Sequence, residues 1–348
     1  MKILWHISSH GWGHAARQRE LIRVYRQKYP DSRITVASNV PRWFWKDSGI
    51  DDICRGSPSP VAIETDGDID TGATLANLTA FIDSYSDLLN EEISFQDEIQ
   101  SDIVISDIDP LPVAAASRRS IPAVGISNFT WDWIMAELFP NILEDIRRIS
   151  EMYNWGTYLR LPMGPRINPF HDVVDVPLLS SGTEGDPDKA RSILPEGKIC
   201  LVALRELPSG ITLKAPEGFL LVSSTSEHLA DGIFNIPPEN LEDLGLTFSD
   251  IMAASDVIVS KAGYGVVSQI LATGKPCVLL KGRTFPEEPY LLKPLQDRAA
   301  TRFLNRSETD HLPDAIESAV NDDAPLPLRS DGADFIVSGG YLDSPVTS

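Results

Sequence analysis

Cysteine is scarce in this chain. Cys54, Cys200 and Cys277 lie far apart without paired spacing, so the sequence holds neither a disulfide framework nor a zinc-ligand pattern. Long apolar runs are also missing. No stretch of about 18 apolar residues is available to cross a membrane, and the opening MKILWHISSHG turns polar too soon for a signal-peptide core, which points to a cytoplasmic protein without a transmembrane segment. Positive charge is in deficit: 30 Lys and Arg face 50 Asp and Glu, a formal net charge of −20. A surface of that sign repels polyanions and excludes nucleic acid as a partner. Any anionic ligand must be held by local donors, such as helix amides, Lys261 or Arg283.

What is present is a soluble composition, 42% hydrophobic and 23% charged, over 348 residues. That length suits two domains, each with its own core. Alternating β and α patterns run through both halves, which predicts an α/β protein of two Rossmann-like, doubly wound domains with a cleft between them. In the first half, strands are expected at residues 2–7, 33–37, 102–106 and 122–127. Helices are expected at 15–28, at 75–100 and from 131 to about 153. Residues 57–74, rich in Pro, Gly and Asp, read as a surface loop. The loop-like segment 158–187 reads as the linker, which gives domains 1–165 and 166–348. The second half restarts the alternation at residues 199–203, and the tail from 325 has little periodicity.

Residues 248–289 organise the second half. A strand near 256–260 is followed by Lys-Ala-Gly-Tyr-Gly, a helix at 266–273 and a second strand at 277–281. Such a βαβ unit sets the first turn of a helix beyond the carboxyl end of a parallel strand, where open α/β sheets bind ligands. Amides at residues 263–266 would face a diphosphate, with Gly263 and Gly265 allowing close approach and Lys261 nearby. A tight turn that binds nothing is the alternative. Tyr264, Ser268 and Gln269 ride on the same turn, with Gln269 placed to reach a ribose. Glu287 and Glu288 follow the second strand; they suit sugar hydroxyls or simply a helix amino terminus. Arg205, with Ser209 and Gly210, could reach a diphosphate.

In the first half, Ser-Ser-His-Gly-Trp-Gly-His after the first strand lacks the GxGxxG spacing of a dinucleotide site. Gly11 and Gly13 keep this loop tight, and His14 stands at a helix start, where a neutral imidazole suits a general base. Asp107, at the end of another strand, could fix its tautomer. His10 is the competing base. Asp109 reads as a helix cap. Trp131 and Trp133 could stack on a sugar or belong to the core.

These residues resemble a known family. HGWGHAAR (10–17), DTGA (70–73), SDIDP (106–110), ISNFTWDW (126–133), SKAGYGVVSQ (260–269) and FPEEPYL (285–291) are similar to the GT-B nucleotide-sugar glycosyltransferases, and most closely to the glycosyltransferase-like amino-terminal domain of L-arabinokinases. The resemblance implies an inverting, metal-independent glycosyltransferase of GT-B fold. It needs no cofactor, and its co-substrate is a nucleoside diphosphate sugar of UDP type. It implies His14 as catalytic base assisted by Asp107. Donor binding falls to Arg205, Lys261, Gly263, Tyr264, Gly265, Ser268, Gln269, Glu287 and Glu288, and a small-molecule or glycan acceptor meets His10, Gly13, Asp70 and Trp131. Gln269 departs from the family's usual ribose-binding Glu. Two alternatives share the scaffold: a nucleotide-sugar 2-epimerase and a non-catalytic nucleotide or sugar binder.

Overall fold

The computed structural model describes residues 1–343 apart from 9, 11, 66–67, 183, 208–211, 227–228 and 283. The sequence expectations for Gly11, Ser209, Gly210 and Arg283 lie outside the described residues. Two parallel sheets dominate. In chain order the first half runs β1 (Lys2–Ile7), α1 (Trp12–Lys28), β2 (Arg33–Ala37), β3 (Asp52–Cys54), β4 (Glu64–Thr65), β5 (Asp68–Ile69), α2 (Thr71–Asp83), α3 (Tyr85–Ile99), β6 (Ile103–Asp107), α4 (Pro110–Arg119), β7 (Ala123–Ser127), α5 (Trp131–Leu138), α6 (Leu143–Met152), β8 (Thr157–Arg160) and β9 (Asp172–Asp175). There follow α7 (Pro187–Ile193), β10 (Lys198–Ala203), β11 (Phe219–Ser223), β12 (Ile233–Asn235), α8 (Phe248–Ala254), β13 (Val257–Lys261), α9 (Tyr264–Thr273), β14 (Cys277–Lys281), α10 (Glu288–Leu292), β15 (Thr301–Asn305), α11 (Leu312–Asn321) and α12 (Gly332–Ser338).

The first sheet has the order β3-β2-β1-β6-β7-β8-β9 and the second β12-β11-β10-β13-β14-β15, with every strand pair parallel. Their strands read as near-continuous apolar runs, as parallel strands covered on both faces must. Each order reverses once, between β1 and β6 in the first sheet and between β10 and β13 in the second. Those reversals are the switch points at which open α/β sheets leave a crevice beyond the strands' carboxyl ends. The register is specific there: Ile7 pairs with Asp107, and Ala203 with Ser260.

The chain divides into two compact units. One holds Met1–Glu64, Ile69–Leu179 and the residues from Ser330 onward; the other holds Thr65–Asp68 and Ser180–Arg329. Several local expectations are corrected. Residues 158–187, read as linker, contain most of β8 and all of β9, which extend the first sheet. The long helix expected to 100 is two helices meeting at Ser84. Likewise the helix from 131 stops at Leu138 and resumes at Leu143, because Pro140 cannot continue the hydrogen-bond ladder. The aperiodic tail contains α12, whose Gly332 amide donates to the Leu178 carbonyl at 3.0 Å while Lys28 Nζ donates to the Val337 carbonyl at 2.9 Å. A Cβ at Gly332 would come within 2.7 Å of the Pro177 carbonyl oxygen, so a side chain is excluded at that crossing.

Candidate active site

The first switch point gathers a buried polar cluster. Helix α1 begins at Trp12, three residues before the sequence suggested, so His14 sits in its first turn with Gly13. His14, Arg17 and Gln18 are spaced i, i+3 and i+4 and share one helix face. All three are at most 7% exposed. They converge on Asp107, the last residue of β6 and fully buried. Its peptide bond to Ile108 is cis.

Every acceptor site of that carboxylate is occupied. Oδ1 lies 2.7 Å from His14 Nδ1 and accepts from Arg17 Nη2 at 2.5 Å; Oδ2 accepts from Arg17 Nε at 2.6 Å and from Gln18 Nε2 at 2.7 Å. A carboxylate offers about four lone-pair positions, and four donors fill them. The same count fixes the histidine tautomer. Arg17 Nη2 is 2.9 Å from His14 Nδ1, but its two hydrogens have oxygen acceptors in Asp107 and in Ser127 Oγ at 2.9 Å. Nδ1 therefore carries a proton and donates it to Asp107, which leaves Nε2 as the bare, basic nitrogen.

Further shells hold the cluster. Arg17 Nη1 donates to Asn128 Oδ1 at 3.1 Å, and Asn128 Nδ2 donates to the Met163 carbonyl at 3.1 Å. A Cβ at Gly164 would sit 1.6 Å from the Asn128 carbonyl oxygen, so only glycine lets the chain pass there. Trp5 Nε1 donates to Gln18 Oε1 at 3.0 Å, and the Phe129 ring stands edge-on to His14 at 5.7 Å.

Electrostatics follow from this packing. Burial lowers the His14 pKa below its ordinary 6.5, Asp107 opposes that shift, and Arg17 adds to it. The imidazole is thus neutral at pH 7. Burial pushes the Asp107 carboxyl up, but Arg17 and then His14 outweigh it and hold the group at about 2. Asp107 is a fixed anion, shared between a guanidinium and an imidazole.

Other residues expected in the first unit have different settings. His10, its side chain 16% exposed, lies 3.4 Å from Glu64 and stands edge-on to Trp131 at 5.1 Å. Asp70 caps α2, accepting from the Ala73 amide at 2.8 Å. Trp131 is fully buried, which favours the core over the sugar platform, the two roles that the sequence left open for its ring. Trp133 is half-buried on α5.

At the second switch point Gly263 caps α9 in an extended conformation, φ −134° and ψ 147°, with no side-chain cap. A Cβ there would meet nothing within 4 Å, so the approach to the helix start is open on that side. Lys261 ends β13, and Tyr264 and Gly265 form the first turn of α9. Two neighbours are already engaged within the unit. The Ser268 hydroxyl donates to the Gly265 carbonyl at 2.8 Å, and Gln269 Nε2 donates to the Ser181 carbonyl at 3.0 Å. Glu287 and Glu288 are nearly buried, and Glu288 accepts from the Gly282 amide at 2.7 Å. Arg205 is exposed on the loop after β10.

Arg17 and Gln18 are partners of Asp107 that the sequence did not single out; their i+3 and i+4 spacing from His14 was the available signal. Among the described residues no group of three or more His, Cys, Asp and Glu is arranged to hold a metal ion, and no helix is long and apolar enough to cross a membrane.

No family model matches the chain. It is 29% identical over 318 residues to L-arabinokinase of Arabidopsis thaliana, an alignment covering 84% of this chain and 29% of that relative, so the chain spans about three-tenths of the relative's length. Among solved structures it is similar to the glycotransferase of kitacinnamycin, with TM-score 0.58 and 16% identity over 97% of this chain and 93% of the other. It is also similar to the UDP-GlcNAc 2-epimerase of Neisseria meningitidis bound to UDP-GlcNAc, with TM-score 0.54 and 14% identity over 97% and 99%. The two sheets, their strand orders and these likenesses together make the chain a protein of GT-B fold, the scaffold that glycosyltransferases and nucleotide-sugar 2-epimerases have in common.

Proposed function

We propose that the chain is a nucleotide-sugar enzyme, and specifically an inverting, metal-independent glycosyltransferase. The observation that carries the reading is the fixed tautomer of His14: a neutral imidazole at pH 7, Nδ1 held by Asp107, Nε2 left to act as base. In the proposed step Nε2 takes the proton of an acceptor hydroxyl as its oxygen bonds to the anomeric carbon. The bond from that carbon to the diphosphate oxygen breaks, and its electron pair leaves with the nucleoside diphosphate. The uncapped start of α9, with Lys261 at the end of β13, is the proposed seat of that leaving group. Donor binding then rests on Lys261, Gly263, Tyr264, Gly265, Glu287 and Glu288, with smaller parts for Ser268 and Gln269, whose polar atoms are already engaged. The UDP-GlcNAc held by the similar epimerase supports a nucleotide sugar as co-substrate.

The test is release of nucleoside diphosphate from UDP- and dTDP-sugars in the presence of a mixed acceptor pool. General-base catalysis contributes about 10²- to 10⁴-fold. His14→Ala should therefore lower turnover by about that factor while UDP affinity stays within about twofold; unchanged turnover would sink the assignment. A second reading is favoured by the near-complete overlap with the 2-epimerase, whose fold covers this chain as fully as the glycotransferase does. On that reading a changed sugar nucleotide appears with no acceptor added.

A further inference from the structure

The first unit holds a pocket of about 140 Å³ at the carboxyl ends of β1 and β2, next to the Asp107 cluster, since the amide of its lining residue Ser8 donates to the Asp107 carbonyl at 2.7 Å. One water needs about 10–15 Å³ of such space, so the pocket admits a group much larger than a single water. Its polar lining comes from Ser8, Asn39, Ser57, Ser59 and Asp109, with Val61 among the apolar walls. Asp109 is the anomaly. It is 2% exposed, and among the described residues its Oδ1 has no hydrogen-bond partner. It stands at the N-cap position of α4, yet its side chain makes no cap hydrogen bond, which corrects the structural role suggested by the sequence. A buried carboxyl oxygen left without a partner costs about 1–3 kcal/mol, and capping α4 does not explain it.

The remaining lining groups define what would satisfy it. Asn39 Oδ1 accepts from the Gly56 amide at 3.2 Å, which leaves its NH₂ as a donor. Ser57 donates to Glu92 at 2.5 Å, and its oxygen also lies 3.3 Å from His6 Nδ1. The Ser59 hydroxyl makes no hydrogen bond of ordinary length among the described residues, although it faces the Asp109 carboxyl. Among the described residues no Lys or Arg lines the pocket, so none of them balances a phosphate or carboxylate there. Neighbouring hydroxyls, each both donor and acceptor, match this set. The geometry points to a binding site for a neutral polyhydroxylated group, a sugar or cyclitol ring, whose hydroxyl is bonded by Asp109.

The titratable groups facing Asp109 support a protonated carboxyl in that role. Burial raises its pKa to about 7; the Ser59 hydroxyl and His6 oppose the rise, and Asp107 and Glu92 add to it. Tyr153 is also close and donates its hydroxyl to the Ile108 carbonyl at 2.6 Å. The site concerns binding alone, needs no nucleotide, and stands or falls separately from the transfer proposed for His14.

Titrating the full chain with neutral pentoses, hexoses and myo-inositol, together with glucosamine and glucuronate, tests the assignment by calorimetry or ligand-observed NMR. At least one neutral member should bind saturably at pH 6, glucuronate should not, and affinity should fall at least tenfold by pH 8.5 as the carboxyl ionises. Asp109→Asn should keep binding within a few-fold and lose the pH dependence; Asp109→Val should abolish binding. The assignment is overturned if no neutral member saturates, if glucosamine or glucuronate binds more tightly than every neutral sugar, or if the pH dependence survives in Asp109→Asn.

Discussion

Replacing Arg17 with Met keeps the length of the side chain and removes the guanidinium from a fully buried carboxylate. Two short ionic hydrogen bonds to Asp107 are lost, at 2.6 and 2.5 Å, leaving the anion with His14 and Gln18 alone. Breaking a buried ion pair by removing one partner costs about 3–5 kcal/mol, because the surviving charge stays desolvated. At roughly 2–4 °C per kcal/mol for a unit of this size, the melting temperature should fall by about 10 °C. Asp107→Asn should cost a similar amount for the mirror reason, a stranded guanidinium. The double variant, with neither charge, should lose about 3 kcal/mol less than the sum of the two. His14 supplies an independent readout. In the wild type its imidazole should titrate below 6.5; in Arg17→Met, with an opposing cation gone and Asp107 unshared, it should titrate higher. Denaturant unfolding measures the first quantity. NMR of the six histidines, with His14 assigned by His14→Gln, measures the second. Strict additivity of the two single variants, or a wild-type His14 titrating above 6.5, would refute the account of the cluster.

Other consequences are as specific. Asp107 has a depressed folded pKa of about 2, so its stabilisation is complete above about pH 4 and is lost as pH falls from there towards 2; acid unfolding of Asp107→Asn should lack that component. Asp109 has the opposite sign: raised from 3.8 to about 7, it holds a proton that the unfolded chain releases, so it lowers stability progressively as pH climbs between those values. Asp109→Asn should consequently gain on the order of 4 kcal/mol more at pH 8 than at pH 4, read from paired denaturation curves. Gly263→Asp fits the extended backbone and open space at the start of α9, and should change stability by only a few tenths of a kcal/mol. Its carboxylate would occupy the helix amides, so calorimetric UDP affinity should drop at least tenfold; unchanged affinity would remove α9 as the diphosphate seat. Gln269→Glu sets a carboxylate against the Ser181 carbonyl that now accepts from Nε2, and should cost about 1–3 kcal/mol in a thermal shift at pH 8.

Local chemistry made part of this molecule legible from its residues. A glycine-rich loop after an apolar strand, and an Asp closing another, marked His14 and Asp107; Lys-Ala-Gly-Tyr-Gly marked the start of α9. Strand order is a non-local property, so the sequence could not show that Ile7 and Asp107 stand in register at the switch point. Arg17 and Gln18 are not legible from the sequence because long polar side chains on a helix are usually solvated, and only tertiary packing buries them. Trp131 was open for the converse reason: its ring suits either a sugar platform or a core, and burial favours the core. The strand β9 has only four residues, Asp-Val-Val-Asp, too few for periodicity to separate it from the surrounding loop. Asp109 looked like an ordinary cap, and its lack of a capping bond appears only in three dimensions.

In the proposed reaction His14, its tautomer set by Asp107, removes an acceptor proton while a nucleoside diphosphate departs. Phosphorus NMR of UDP- and dTDP-sugars incubated with wild type and His14→Ala, each with and without an acceptor pool, tests it directly. The account predicts nucleoside diphosphate released only when acceptor is present, and suppressed by about two orders of magnitude or more in His14→Ala. Equal release by the variant, or a new sugar nucleotide formed without acceptor, would contradict it.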